Sequence, residues 1–279
     1  MQGEVVKVIS NQFYVKVNSN VLICTQRGVL KKNKTLPLVG DKVLVDIEKQ
    51  VIEKILPRKN EIVRPPVANI DQAIVVTSLK HPDFSTKLLD KLLVQLEINK
   101  IKPIICLTKK DLLGSVELAN YFEIINYYQK IGYLVVDNTE TKKILKELEN
   151  KITVFLGQTG AGKSTLLNKL FPDLNLKTGE VSLALGRGKH TTRVVEIIEI
   201  GNIKVLDTPG FSALSFLKYD LESVKEAFIE FKNYPCLYKD CNHDKESECN
   251  LKKAVLDGNV LESRYQNYLN FKKEFSERK

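Results

Sequence analysis

Gly157-Gln158-Thr159-Gly160-Ala161-Gly162-Lys163-Ser164 is the stretch that decides the fold of this chain. An apolar, β-branched run, Ile152-Thr153-Val154-Phe155-Leu156, leads into it, and residues 164–171 continue with helical periodicity. Between a strand and a helix, such a segment reads as a phosphate loop. Its glycines let several backbone N–H groups turn toward one anion, and the start of the helix adds partial positive charge. Lys163 is expected to bridge β- and γ-phosphate oxygens, Ser164 to ligate Mg²⁺, and Thr165 to reach the α-phosphate. A fortuitous glycine-rich turn is the rival, and the strand–loop–helix setting disfavours it.

Downstream, Asp207-Thr208-Pro209-Gly210 closes the apolar run 203–206. Asp207 can hold the Mg²⁺ water shell and Gly210 can offer its N–H to the γ-phosphate. Alone this is an ordinary turn; its place after a phosphate loop gives it weight. Between the two lies 177–193, with little regular periodicity and with Gly179, Gly186 and Gly188. It reads as a switch loop that orders around Mg²⁺ and γ-phosphate. Thr192, with Thr191 as the alternative, would supply the second hydroxyl ligand to the magnesium. Phe211 stands where many GTPases carry a water-orienting Gln, so intrinsic hydrolysis is expected to be slow. His190 is the leading candidate to orient water or shuttle a proton, and a surface histidine without a role is its rival. Arg187, Lys189 and Arg193 could offset γ-phosphate charge, but contact with an acidic partner is the preferred reading.

Upstream, Thr108-Lys109-Lys110-Asp111 reads as a guanine-selecting loop. The Asp111 carboxylate can accept from guanine N1–H and the exocyclic amine, a pair of donors adenine lacks. A buried acceptor left unpaired discriminates by ~10⁴. The Lys109 stem can pack over the base. Thr108 replaces the usual Asn and so is expected to lose the amide tie to the phosphate loop, weakening affinity. Taken alone, residues 108–111 would be an ordinary strand-to-helix turn. Asp137-Asn138-Thr139 falls where a further base-contacting loop belongs, but departs from the Ser-Ala pattern and is not firmly assigned. In an ordinary small GTPase the base-selecting loop comes last; here it precedes the phosphate loop, as in a GTPase domain cut and rejoined.

The rest of the chain surrounds this domain. Residues Gln2–Ile9, Gln12–Val17, 21–25, 41–47 and 50–55 alternate and are rich in β-branched side chains, with a Lys-rich loop, Lys31-Lys32-Asn33-Lys34, among them. They predict a small β-barrel, OB-like or SH3-like. Pro57-Arg58-Lys59-Asn60 and Arg64-Pro65-Pro66 punctuate the chain and mark a boundary. Strands at 70–77, 103–107, 133–136 and Ile152–Leu156 then alternate with helices at 87–99 and 116–131, and 194–200 with 203–206 makes a hairpin. This is a three-layer α/β pattern with a mostly parallel sheet. From residue 221 the chain is helical, interrupted by a Cys/His cluster.

At 279 residues, 43% hydrophobic and 28% charged, the composition is that of a globular chain of several domains. No apolar run approaches the ~20 residues of a membrane span, and no secretory signal is visible, so a cytoplasmic location is expected. The net charge of +9 suits a polyanionic partner, though a lysine-rich proteome explains it equally well. Five cysteines argue against a disulfide framework. Cys24 and Cys106 sit in apolar runs as small buried side chains. Cys236, Cys241, His243 and Cys249 crowd one segment and would complete a closed tetrahedral Zn²⁺ shell, structural rather than catalytic; free thiols and a chance pair are the rival.

Taken together, the chain resembles the ribosome small-subunit-dependent GTPase A (RsgA) family from end to end. The resemblance rests on the N-terminal strands, on Arg64-Pro65-Pro66-Val67-Ala68-Asn69-Ile70-Asp71-Gln72, on the permuted motif order, on Gly188-Lys189-His190-Thr191-Thr192, and on Cys236…Cys241-Asn242-His243…Cys249. It implies a multidomain α/β protein: an OB-fold RNA-binding domain at 1–60, a circularly permuted P-loop GTPase domain at 61–218, and a helical zinc-binding domain at 219–279. It implies a cytoplasmic, monomeric GTP hydrolase, without membrane attachment, that uses Mg²⁺ with GTP and one structural Zn²⁺. Its partners would be the 30S ribosomal subunit and 16S rRNA, with hydrolysis stimulated by the subunit, coupled to release, and serving late maturation. A GTPase with another target, such as the large subunit or a membrane-linked pathway, is a second reading. An RNA-binding module with a vestigial nucleotide site is a third, which Lys163, Ser164 and Asp207 disfavour.

Overall fold

The alternating residues at the start form β1 (Gln2–Ile9), β2 (Gln12–Val17), β3 (Asn20–Gln26), β4 (Lys42–Asp46) and β5 (Val51–Ile55). Every second side chain turns inward, so Val5, Phe13, Val15, Val17, Cys24, Val43, Val45 and Ile52 make one core. The strand order is β1-β2-β3-β5-β4, and β4 closes on β1 through Gln2↔Leu44 and Glu4↔Lys42. β3 and β5 run parallel while the other pairs are antiparallel. That closed five-stranded order is the OB-like one of the two barrels left open by the sequence. Gly3 makes closure feasible: a Cβ there would lie 2.6 Å from Val15 Cγ1 and 2.9 Å from the Lys16 carbonyl.

The structure is a computed structural model that describes residues 1–28, 35–63, 66–174, 195–207 and 219–276. Beyond the barrel, the Pro-rich boundary is more ordered than its composition suggests: β6 (Glu61–Val63) and β7 (Pro66–Ala68) pair antiparallel. Arg58 anchors this connection by donating to both oxygens of the buried Asp41, each at 2.8 Å.

The phosphate-loop domain follows as β8 (Gln72–Ser78), α1 (Thr86–Ile98), β9 (Lys102–Thr108), α2 (Ser115–Lys130), β10 (Leu134–Asp137), α3 (Thr141–Leu148), β11 (Ile152–Leu156), α4 (Lys163–Leu170), β12 (Val195–Ile200) and β13 (Ile203–Asp207). Ser85 starts α1 by accepting from Leu88 N, and Leu89, Leu92, Leu93 and Leu96 give the helix its buried stripe. α3 is an element the sequence reading passes over, since only Ile144 and Leu148 of its eight residues are buried. The strands lie in the order β10-β9-β8-β11-β13-β12, parallel except for β12. β1 adds to this sheet through Lys7↔Glu196 and Val8↔Val195, so barrel and nucleotide domain share one continuous ladder.

Past residue 218, α5 (Leu221–Glu226), α6 (Asn250–Leu256) and α7 (Glu262–Ser276) enclose Val224, Phe228, Phe231, Leu251, Tyr268 and Phe271. Among the described residues no helix is long and apolar enough to cross a membrane.

Candidate nucleotide site and metal centre

Strands β8, β9, β10, β11 and β13 point their C-terminal ends at one edge of the sheet, the place where open α/β sheets bind ligands. The phosphate loop springs from β11 there. Gly157 has φ +142°, and a Cβ on it would stand 2.2 Å from the Val76 carbonyl of β8. Only glycine lets the chain leave β11 so close to its neighbour. Gln158, Thr159 and Gly160 form the exposed crest, Ala161 packs inward, and α4 begins directly after Gly162. The Lys163 ammonium lies over the loop, donating to Gly157 O at 2.6 Å and Gln158 O at 2.9 Å. Burial pulls its pKa below the ordinary lysine value. Ser164 is half-buried at the helix start and Thr165 is exposed.

Thr108 ends β9, one strand beyond β8, and is almost wholly buried. Its hydroxyl donates to Ala161 O at 2.6 Å. This corrects the expectation that replacing Asn severs the tie between the two loops: the shorter side chain reaches the phosphate loop because β9 delivers it within contact of Gly162, whose Cβ position is 3.8 Å from Thr108 side-chain atoms. Lys109 turns the chain with φ +58° and its ammonium donates to the His81 carbonyl. Asp111 then sits, exposed, in a short 3-10 turn at Lys110–Leu112.

Asp137-Asn138-Thr139 lies beside this loop, since Asn138 N donates to Leu107 O at 3.0 Å. Its carboxylate is engaged locally, accepting from Thr139 N at 2.9 Å and Thr139 Oγ1 at 2.7 Å. Lys169 of α4 reaches the Asn138 carbonyl at 3.1 Å.

Sequence reasoning missed one wall of this edge, the loop 79–85 after β8. Pro82 Cδ lies 3.6 Å from the Cβ position of Gly160, and the His81 carbonyl holds Lys109. No motif marks this loop. Only the strand order does, by placing β8 between β9 and β11.

The parallel pairing Val154↔Leu206 carries residue 207 at the end of β13 to the same edge. Thr191, Thr192, His190, Arg187, Lys189 and Arg193 lie outside the described residues, as do Thr208, Pro209, Gly210 and Phe211.

A second cluster lies in the C-terminal unit. His243 Nδ1 stands 3.4 Å from Cys236 Sγ, 3.5 Å from Cys241 Sγ and 3.3 Å from Cys249 Sγ, and the Cys236 and Cys249 sulfurs are 3.6 Å apart. A tetrahedral Zn²⁺ with ordinary bond lengths has S···S edges of about 3.8 Å and S···N edges of about 3.6 Å, so the four groups fit one ion. The sulfur spacing is far beyond a disulfide bond of about 2.05 Å. Burial pushes the Cys241 thiol up to about 12 and raises Cys249, so thiolates there need a cation to neutralise them. Glu246 shapes the loop, accepting from Asn242 N and Asp244 N at 2.8 Å each, and Tyr265 and Tyr268 donate to the carbonyls of His243 and Asn242 at 2.8 Å each. Cys236, Cys241, His243 and Cys249 could hold a metal ion.

With this geometry in view, the similarities of the chain are specific. The family profile described as RsgA GTPase matches residues 55–217, and that described as RsgA N-terminal domain matches residues 2–52. A curated relative from Bacillus cereus, named small ribosomal subunit biogenesis GTPase RsgA, is 44% identical over 288 residues, covering 100% of this chain and 98% of the relative. The crystal structure of YjeQ from Thermotoga maritima superposes with a TM-score of 0.84 at 33% identity, covering 98% of this chain and 97% of that one. YloQ, described as a circularly permuted GTPase, superposes with a TM-score of 0.81 at 36% identity, covering 100% of this chain and 96% of that one.

Proposed function

This chain belongs to the RsgA GTPase family and is a GTP hydrolase, and we propose that its turnover assists the late maturation of the 30S ribosomal subunit, is stimulated by that subunit and is coupled to release from it. The observation that carries the nucleotide part is the Thr108 hydroxyl on Ala161 O, which locks the base-selecting and phosphate loops together despite their inverted order in the chain.

In this reading Thr108, Lys109, Lys110 and Asp111 hold guanine, with Asp111 as acceptor and the Lys109 stem along the base. Residues 157–165 take the phosphates: backbone N–H groups face the β-phosphate, Lys163 bridges to the γ-phosphate, and Ser164 and Thr192 ligate Mg²⁺. When bound, that ion neutralises charge on the phosphate oxygens. Asp207 orients the metal's water shell and Gly210 offers its N–H to the γ-phosphate. His190 orients the attacking water, a task Phe211 cannot perform. Lys163 supports this directly: its half-buried ammonium already lies over the loop crest, where phosphate oxygens would replace the carbonyls it now contacts.

Cys236, Cys241, His243 and Cys249 hold one structural Zn²⁺, a role supported by spacings that match a tetrahedral shell. The barrel, taken as 1–60, and the metal-bearing unit, taken as 219–279, meet 16S rRNA on either side of the GTPase domain at 61–218. The net charge of +9 favours such a polyanion. The protein acts as a cytoplasmic monomer free of membrane.

The test is GTP hydrolysis by full-length protein, alone and with purified 30S or 50S subunits. Stimulation by 30S particles alone, lost in His190→Ala while nucleotide binding persists, is expected. Equal rates with either particle would contradict the assigned partner. Metal analysis giving well under one zinc per chain would remove the zinc.

A further inference from the structure

The largest fully buried side chain among the described residues is that of Arg264 on α7, and the site just described makes no use of its charge. Its guanidinium donates to two carboxylates at once: Nη1 to Asp90 Oδ1 at 2.7 Å, and Nε and Nη2 to the two oxygens of Glu230, the latter at 2.8 Å. Phe228, Tyr128 and Tyr133 surround it with ring centroids at 4.8, 5.4 and 5.9 Å. All three ionic groups are fully or almost fully buried. Two further donors satisfy Asp90: Tyr128 OH at 2.6 Å and Asn267 Nδ2 at 2.7 Å. Burial raises the Asp90 carboxyl, with Arg264 opposing that rise.

These partners come from different parts of the molecule. Asp90 is on α1 and Tyr128 on α2, both in the nucleotide domain; Glu230, Arg264 and Asn267 belong to the metal-bearing unit. Asn267 also reaches Thr86 Oγ1 in the first turn of α1 at 3.3 Å, and Lys91 pairs with Glu274 at 3.4 Å. Ser85, which caps α1, is the last residue of the loop whose His81 carbonyl holds Lys109 and whose Pro82 faces Gly160. Hydrogen bonds and chain connectivity therefore run from α7 through α1 and the 79–85 loop to Lys109, with Pro82 facing Gly160 of the phosphate loop.

An ionic group of this kind contributes little net stability over an apolar replacement, because desolvation offsets the attraction. It does fix one docking geometry, since the planar fork of arginine pairs with both acids in only one orientation. We propose that Arg264 is a positioning residue: clamped between Asp90 of α1 and Glu230 of the metal-bearing unit, it makes that unit and the 79–85 loop move together, so that events at one are felt at the other.

The coupling is tested on full-length protein carrying Asp90→Asn, Glu230→Gln and Arg264→Met together, which removes all three charges without leaving one unpaired. In the unaltered protein, GDP should slow amide exchange in α7 and around Glu230. In the triple variant that response should vanish, with GDP affinity and basal turnover within about twofold of the unaltered values and stimulation by small subunits down about fivefold or more. A full exchange response in the triple variant, or none in either protein, overturns the proposal. Should the triple variant fail to fold, Arg264→Lys decides, because its single ammonium keeps the charge but cannot fork to Asp90 and Glu230 at once: a response reduced by about half or more supports the clamp, and an unreduced one overturns it. The stimulation arm rests on the assigned partner. If unaltered protein is not stimulated by small subunits, the functional reading fails while the exchange result still decides the clamp.

Discussion

Thr108 shows how one residue can be misjudged from its type and corrected by its surroundings. By type it lacks the amide that normally joins the two nucleotide loops, yet its buried hydroxyl makes the join through Ala161 O at 2.6 Å. Thr108→Val keeps the shape and leaves that carbonyl without its donor. Such an unsatisfied buried acceptor costs about 1–3 kcal/mol, so GDP affinity measured with a fluorescent analogue should fall by roughly 5- to 150-fold. Thr108→Asn, the residue expected from the general pattern, should bring no gain, because the bond it would supply is already present. Tighter binding by tenfold or more in the Asn variant would mean that threonine is a defect after all. Lys163, Ser164 and Asp111 could be singled out in the sequence because each belongs to a motif of fixed spacing. Loop 79–85 was not, because nothing in Lys80-His81-Pro82-Asp83 marks its position between two other loops.

Elements were legible where one face alone is buried, or where both are. The barrel strands alternate, β8, β9 and β11 each hold a buried apolar run, and α1 repeats leucines at helical spacing, so each showed its period. α3 escaped because two buried side chains in eight residues make too faint a stripe, and the β6–β7 hairpin because its prolines read as punctuation. The phosphate loop is the element where backbone geometry leaves least freedom. Gly157→Ala would drive a methyl to 2.2 Å from the Val76 carbonyl, at a φ that side chains avoid. The loop must then lift from β8, and calorimetry should find no GDP binding in a protein that retains its circular dichroism. Undiminished binding would show that the loop has room which the contact distance denies.

In the whole molecule, the barrel precedes the nucleotide domain along the chain and the C-terminal helical unit follows it, each joined to it by a different physics. The C-terminal helical unit docks through the buried Arg264 cluster; the barrel docks through the β1–β12 ladder and through Glu4. That carboxylate is nearly buried and pairs with Lys42 of the barrel at 2.7 Å and with Lys204 of β13. Burial raises its pKa, but the hydrogen bonds to Lys204 and Lys42 outweigh it and hold the value below the usual 4.5. A depressed folded pKa contributes stability that is present above the unfolded value and lost as pH falls through the folded one. The melting temperature of the protein should therefore drop as pH is lowered below about 4.5, and Glu4→Gln, already without that contribution at neutral pH, should drop less over the same window. Parallel curves for the two proteins would assign the acid sensitivity elsewhere. Two loops in inverted chain order should grip the two ends of one guanine nucleotide, and competition calorimetry with GDP and ADP decides whether they do. A preference for GDP on the order of 10⁴ is expected, lost in Asp111→Ala, while Lys163→Ala weakens both ligands alike. ADP competing as well as GDP, or an undiminished preference in Asp111→Ala, would contradict it.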